Sequence, residues 1–97
     1  MIGMLATSKA GHDKSNVYVI VGETESWVYL CDGKIRTLQK PKKKNKKHIQ
    51  IIKQEIDAGV QKRIREGHPV YDVEMKHLIK QFQKQFKEGK DVQSRCN

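Results

Sequence analysis

The sequence predicts a mainly β chain with C-terminal helices: a small curled or closed barrel followed by two α-helices. Three observations carry that prediction. The first half holds several short β-branched and aromatic runs separated by tight-turn signals. The second half changes period, with apolar residues recurring at three- and four-residue steps. The 97 residues suffice for one small domain with one modest core.

The elements follow in order. Residues 4–8 are a weak strand candidate. Val17, Tyr18, Val19, Ile20 and Val21 form a strong one, bounded by Asn16 and Gly22. Residues 26–31, Ser-Trp-Val-Tyr-Leu-Cys, form a second strong strand, and the short link through Thr24 makes the pair an antiparallel hairpin. Asp32-Gly33 reads as a tight turn, after which residues 34–38 alternate as a further strand. Residues 48–52 can close the sheet. Strands this short leave no long exposed edges if the sheet curls on itself. Several are apolar on both faces, as burial between a barrel interior and a packed C-terminal segment requires.

Beyond the sheet, Ile52, Ile56, Val60 and Ile64 lie on one helical face, with Gly59 weakening the stretch and Gly67-His68-Pro69 ending it. A second helix starts near Asp72 as N-cap, with Met75, Leu78, Ile79, Phe82 and Phe86 as its apolar face and Gly89 as its stop. Both helices are expected to pack on the barrel, with a dimer interface as the rival use of Phe82 and Phe86. The domain reading is residues 1–52 for the barrel, including the lysine-rich segment 40–47, then 53–89 for the helical extension and 90–97 for a disordered tail.

The chain carries 20 Lys and Arg against 11 Asp and Glu, a net charge of +9. An excess that large points to a polyanionic partner, nucleic acid or an acidic membrane face. It is concentrated. Lys34, Arg36, Lys40, Lys42, Lys43, Lys44, Lys46 and Lys47 fall in one stretch that contains no acid. Such a block repels itself and is expected to be extended and solvated until an anion neutralises it, and Pro41 biases Lys40 the same way. A solvated linker without a partner and a nuclear-targeting address are the rival readings. No apolar run is long enough for a spanning helix, so no membrane insertion is expected. The N-terminus lacks the pattern of a secretory signal. Cys31 and Cys96 form no Cys-x-x-Cys pair, so no metal and no disulfide framework are expected, and the compartment reads as reducing and cytoplasmic.

Between the first two strands stands Ser8-Lys9-Ala10-Gly11-His12-Asp13-Lys14-Ser15-Asn16. Gly11 permits a tight turn, Lys9 and Lys14 bracket it, and Asp13 can bond nearby backbone N–H groups. This loop, followed by its strand, resembles the KOW motif of RNA-binding ribosomal and transcription-elongation proteins. The likeness extends to Cys31-Asp32-Gly33-Lys34-Ile35-Arg36 and then to Lys40-Pro41-Lys42-Lys43-Lys44 and Lys47-His48. Together these are similar to small bacterial KOW-domain RNA-binding proteins, relatives of the fourteen-e type large-subunit ribosomal protein. The similarity covers about the first fifty residues, with a less specific likeness over the helical tail. His12 stands where that family usually has Arg, and Ser15 where Gly is usual. An imidazole lacks the planar fork that grips phosphate in two places, so the loop's contact is expected to be weaker or more pH-dependent.

The resemblance implies an SH3-like barrel and an RNA-binding protein of the translation machinery. Ribosomal RNA is the expected partner, with ribosomal proteins as possible neighbours and the free chain a monomer. No catalysis and no cofactor are implied. The expected RNA-binding residues are Ser8, Lys9, Gly11, His12, Lys14, Asn16, Lys34, Arg36, Lys40, Lys42, Lys43, Lys44, Lys46, Lys47 and His48. Amines would contact phosphates, and Ser8 and Asn16 would bond sugar or base edges. The alternative is a protein-interaction module that docks on a polymerase or ribosome partner, marked by an exposed aromatic groove instead of a basic face. Trp27, Tyr29 and Tyr71 read as packing residues, with base stacking the rival for the first two. His12, His48, His68 and His77 are scattered and read as non-ligands.

Overall fold

The computed structural model describes residues 1–9, 16–54 and 57–96, with side chains of the last stretch described as far as residue 85. Five strands form one antiparallel sheet: β1 (Leu5–Ser8), β2 (Val17–Glu23), β3 (Trp27–Cys31), β4 (Lys42–Asn45) and β5 (Ile49–Ile52). Their order is β4-β3-β2-β1-β5, so the two edge strands are consecutive in the chain and joined by a 3₁₀ turn, Lys46–His48. Two helices follow, α1 (Ala58–Arg65) and α2 (Asp72–Cys96). No helix among the described residues is long and apolar enough to cross a membrane.

Register decides which side chains share a face, because residues alternate along a strand. Leu5 pairs with Val19 and with Ile52, and Val19 pairs with Cys31. These residues face the helices and form one core with Val17, Ile64, Met75, Leu78, Ile79 and Phe82. Their neighbours Ala6, Tyr18, Ile20, Val28, Leu30 and Ile49 form a second core on the other face. No helix residue among the described ones belongs to that core, and the sheet buries it by curling. Ser8 on β1 and Lys44 on β4 are three strands apart in order, about 14 Å on a flat sheet. Yet Lys44 Nζ donates to Ser8 Oγ at 2.9 Å. An extra residue in β2 between Ile20 and Gly22, where the register with β3 shifts, adds to the bend. The sheet is curled but its hydrogen-bonded ladder is not closed, since β4 and β5 remain its edges.

Both helices dock through specific polar contacts as well as apolar ones. Asp57 caps α1 by accepting from Val60 N at 3.2 Å, and the helix ends where Gly67 adopts φ 76°. There Gly67 N donates to Ile64 O at 3.2 Å and His68 N to Arg63 O at 2.9 Å, the paired bonds of a Schellman turn. Gln61, buried, donates from Nε2 to Gly3 O at 2.9 Å and ties α1 to the N-terminal turn. At the start of α2, Glu74 accepts from Tyr71 N at 3.1 Å and also pairs with Arg63.

Several sequence expectations are corrected. Residues 34–38 are a turn, not a strand. The Asp32 carboxylate accepts from Lys34 N at 2.8 Å and Arg36 N at 2.9 Å, and Leu38 N donates to Asp72 Oδ1 at 2.8 Å. The N–H groups that a ladder needs are thus bound elsewhere. The lysine block is not a solvated arm, because Lys42, Lys43 and Lys44 sit in β4, paired with Leu30, Tyr29 and Val28. The first helix is shorter than its periodicity suggests, since Ile52 belongs to β5 and pairs with Leu5. Ile56 lies outside the described residues. Asp72 is not a cap: its carboxylate turns to the β3–β4 connection and accepts from Leu38 N, while Tyr71 takes the capping position. α2 runs past Gly89, a cost of about 1 kcal/mol relative to Ala. Trp27 and Tyr71 are not packed away, being 39% and 64% exposed.

Candidate nucleic-acid interface

The loop between β1 and β2 begins beside the lysine-rich segment. Ser8 ends β1 and is buried, its hydroxyl held by Lys44. The next residue, Lys9, is exposed, and its backbone N–H donates to His48 O at 2.9 Å. That bond continues the β1–β5 pairing, in which Ser8 lies opposite Ile49. The near foot of the loop therefore adjoins the 3₁₀ turn that carries Lys46, Lys47 and His48. Asn16, exposed, stands at the far foot, where β2 begins. Gly11, His12 and Lys14 lie outside the described residues.

Inside β4 the lysines divide by face. Lys42 and Lys44 lie opposite Leu30 and Val28 and turn toward the inner core. Lys42 Nζ sits 6.0 Å from the Tyr18 ring centroid. Lys43 lies opposite Tyr29 on the outer face, with Nζ 4.6 Å from the Trp27 ring centroid. Each amine thus has a local partner and repulsion is relieved by alternation, which is how so cationic a tetrad sustains a strand. Asn45 accepts from Lys47 N at 2.9 Å and starts the 3₁₀ turn.

Lys46 is held differently. Its Nζ pairs with Glu23 at 2.7 Å, and Glu23 also binds the N-terminal ammonium at 3.2 Å. The hydrogen bond from Lys46, then the one from the N-terminus, holds the Glu23 carboxyl below its usual range. Lys46 is therefore partly neutralised from within the protein. Lys9, Lys43, Lys47 and His48 are exposed, as are Lys34, Arg36 and Lys40 around the turn after β3. That turn is rigid, since Asp32 N and Gly33 N both donate to Arg36 O, at 2.8 and 3.1 Å.

The expected site thus separates into parts. Lys9, Lys47 and His48 come together where β1 meets the 3₁₀ turn. Lys34, Arg36 and Lys40 belong to the β3–β4 connection. Lys42, Lys44 and Lys46 are engaged with the protein's own groups, so not every lysine in the run presents a free amine. Trp27, expected to pack against the core or a helix, is exposed instead; the signal against packing is its alternation with Val28, which claims the inner face. Among the described residues no group of three His, Cys, Asp or Glu side chains is placed to hold a metal ion. Cys31 is buried in the helix-facing core, and burial pushes its thiol up to about 12, with the Asp72 and Asp32 charges adding to the effect. Such a thiol is a poor nucleophile at neutral pH. Neither a family model nor a curated protein matches this chain.

Proposed function

We propose that this chain is an RNA-binding protein of the translation machinery, of the KOW type and with an SH3-like barrel, and that it binds ribosomal RNA through the β1–β2 loop and the lysine-rich segment. The observation that carries the reading is the juxtaposition at the foot of the loop. Lys9 N–H bonds His48 O and Lys44 bonds Ser8, so two cationic segments distant in sequence share one end of the sheet. A folded polyanion can meet both at once, with amines on phosphates and no base-specific contact required. The curled sheet, its two cores and the 3₁₀ turn between consecutive edge strands support the barrel reading.

The test uses residues whose side chains are exposed, leaving Lys44 and Lys46 to their structural partners. Lys9→Gln with Lys47→Gln removes two amines at the junction. If both meet phosphates, the plot of log affinity against log salt becomes shallower by about 1.4 to 1.8 for a labelled ribosomal RNA hairpin. An unchanged slope, or a wild-type protein that ignores RNA at low salt, defeats the proposal.

A second reading has its own observation. Trp27 and Tyr29 lie on the outer face of β3, and Trp27 is 39% exposed under Lys43. That exposed aromatic face suits a protein-docking module. Trp27 is the only tryptophan, so its emission reports this face directly. RNA binding that leaves the emission unchanged keeps the face available to a protein partner.

A further inference from the structure

We infer that the groove between the 32–36 turn and α2 is a second backbone-binding segment for the same RNA, with Lys34, Lys76 and Lys80 on its phosphates. The inference rests on the RNA-binding reading and assigns α2 a role in it. The groove measures about 690 Å³ and is lined by Asn16, Asp32, Lys34, Ile35, Lys76 and Lys80 among others. Its amines come from two elements. Lys34 rides on the rigid turn after β3, and Lys76 and Lys80 are four residues apart on one stripe of α2.

Three features favour an RNA strand as the occupant. First, the described lining sets three amines, Lys34, Lys76 and Lys80, against one carboxylate, Asp32. Two lysines at this helical spacing repel each other. The carboxylate in the groove, Asp32, already accepts two backbone N–H groups through Oδ1. Among the described residues none of the three amines has an ion-pair partner. Second, the groove adjoins the proposed interface, because Asn16 lines it and precedes Val17, the partner of Thr7 in β1 two residues before Lys9. A strand leaving the loop therefore meets an amide that can bond a sugar or base edge, then three amines. Third, Ile35 is 82% exposed on the same rim. A large apolar side chain set among cations suits the face of a ribose or base, which inorganic phosphate does not offer.

The test compares double variants of the full chain by anisotropy with a fluorescein-labelled RNA hairpin over a salt series. Gln is used because it keeps helix propensity. Lys76→Gln with Lys80→Gln is expected to flatten the salt slope by about 1.4 to 1.8, and Lys76→Arg with Lys80→Arg to retain it. Lys53→Gln with Lys62→Gln, exposed lysines that do not line the groove, should leave it unchanged. An equal loss in that control overturns the assignment, since bulk charge then explains the effect. If the groove variant keeps the wild-type slope while Lys9→Gln with Lys47→Gln loses it, the groove falls and the RNA reading stands. If the wild-type protein shows no salt-dependent RNA affinity, both fall. Preferential binding of a polyglutamate peptide, dependent on Lys76 and Lys80 and not competed by RNA, also overturns the inference.

Discussion

Gly33→Ala tests the docking of the β3–β4 turn on α2 more directly than any core truncation. Gly33 has φ 78°, a region that costs an alanine about 1–2 kcal/mol. Space adds a second penalty. A Cβ at Gly33 would stand 2.3 Å from the Asp72 carbonyl oxygen and 2.7 Å from Lys76 Cγ. The lysine carbon can move; the Asp72 carbonyl belongs to the first turn of α2 and cannot move alone. The turn must lift away, and the hydrogen bond from Leu38 N to the Asp72 carboxylate is strained or lost. A bond to a charged acceptor contributes about 1.5–3 kcal/mol. The summed loss is about 2.5–5 kcal/mol, a large share of a small domain's stability. Gly67→Ala is the internal control, because Gly67 has φ 76° but nothing within 4 Å of its added Cβ. It should lose only the conformational part, about 1–2 kcal/mol. Gly59→Ala meets only Asp57 Oδ1 at 3.4 Å inside α1 and should gain up to about 1 kcal/mol. Urea unfolding followed by circular dichroism measures all three. Equal losses for Gly33→Ala and Gly67→Ala would show that the turn does not bear on α2, and the argument fails.

Two further outcomes follow from titratable groups. Glu23 and Glu74 are both held below the usual carboxylate value of 4.5, Glu23 chiefly by Lys46 and Glu74 chiefly by Arg63. A lowered folded-state pKa means that the unfolded chain binds more protons in that window. The stability they contribute is complete above the unfolded value and is lost as pH falls through the folded ones. Urea midpoints between pH 6 and pH 3 should fall less steeply for Glu23→Gln with Glu74→Gln than for the wild type, and equally steep curves would contradict the pairing. Cys31, fully buried and pushed up to about 12, should resist iodoacetamide at pH 8 in a Cys96→Ser background and react once urea unfolds the chain. Alkylation of the folded protein at the rate of a free thiol would refute that burial.

The strands carried by β-branched residues were legible because local pattern and tertiary demand agree there. Val17 to Ile20 alternate between two cores, and each side chain finds an apolar face whichever way it points. The turn at Asp32-Gly33 was equally legible, since only a left-handed glycine and a carboxylate acceptor close it so tightly. The segment after it was misread. Its alternation looks like a strand, but its N–H groups are claimed by Asp32 and by Asp72, a residue distant in sequence. No local pattern announces a partner that far away.

The lysine run shows the same division. Composition alone located the cationic block, because charge counts need no geometry. Its conformation depended on neighbours: Leu30, Tyr29 and Val28 across the ladder, Tyr18 and Trp27 beneath the amines, and Ser8 and Glu23 as acceptors. Periodicity and charge are properties of the chain read in order, so they survive without coordinates. Which amines stay free, which ring meets solvent and which helix faces the loop are set by pairings between distant residues. Only the folded chain brings those residues within bonding distance.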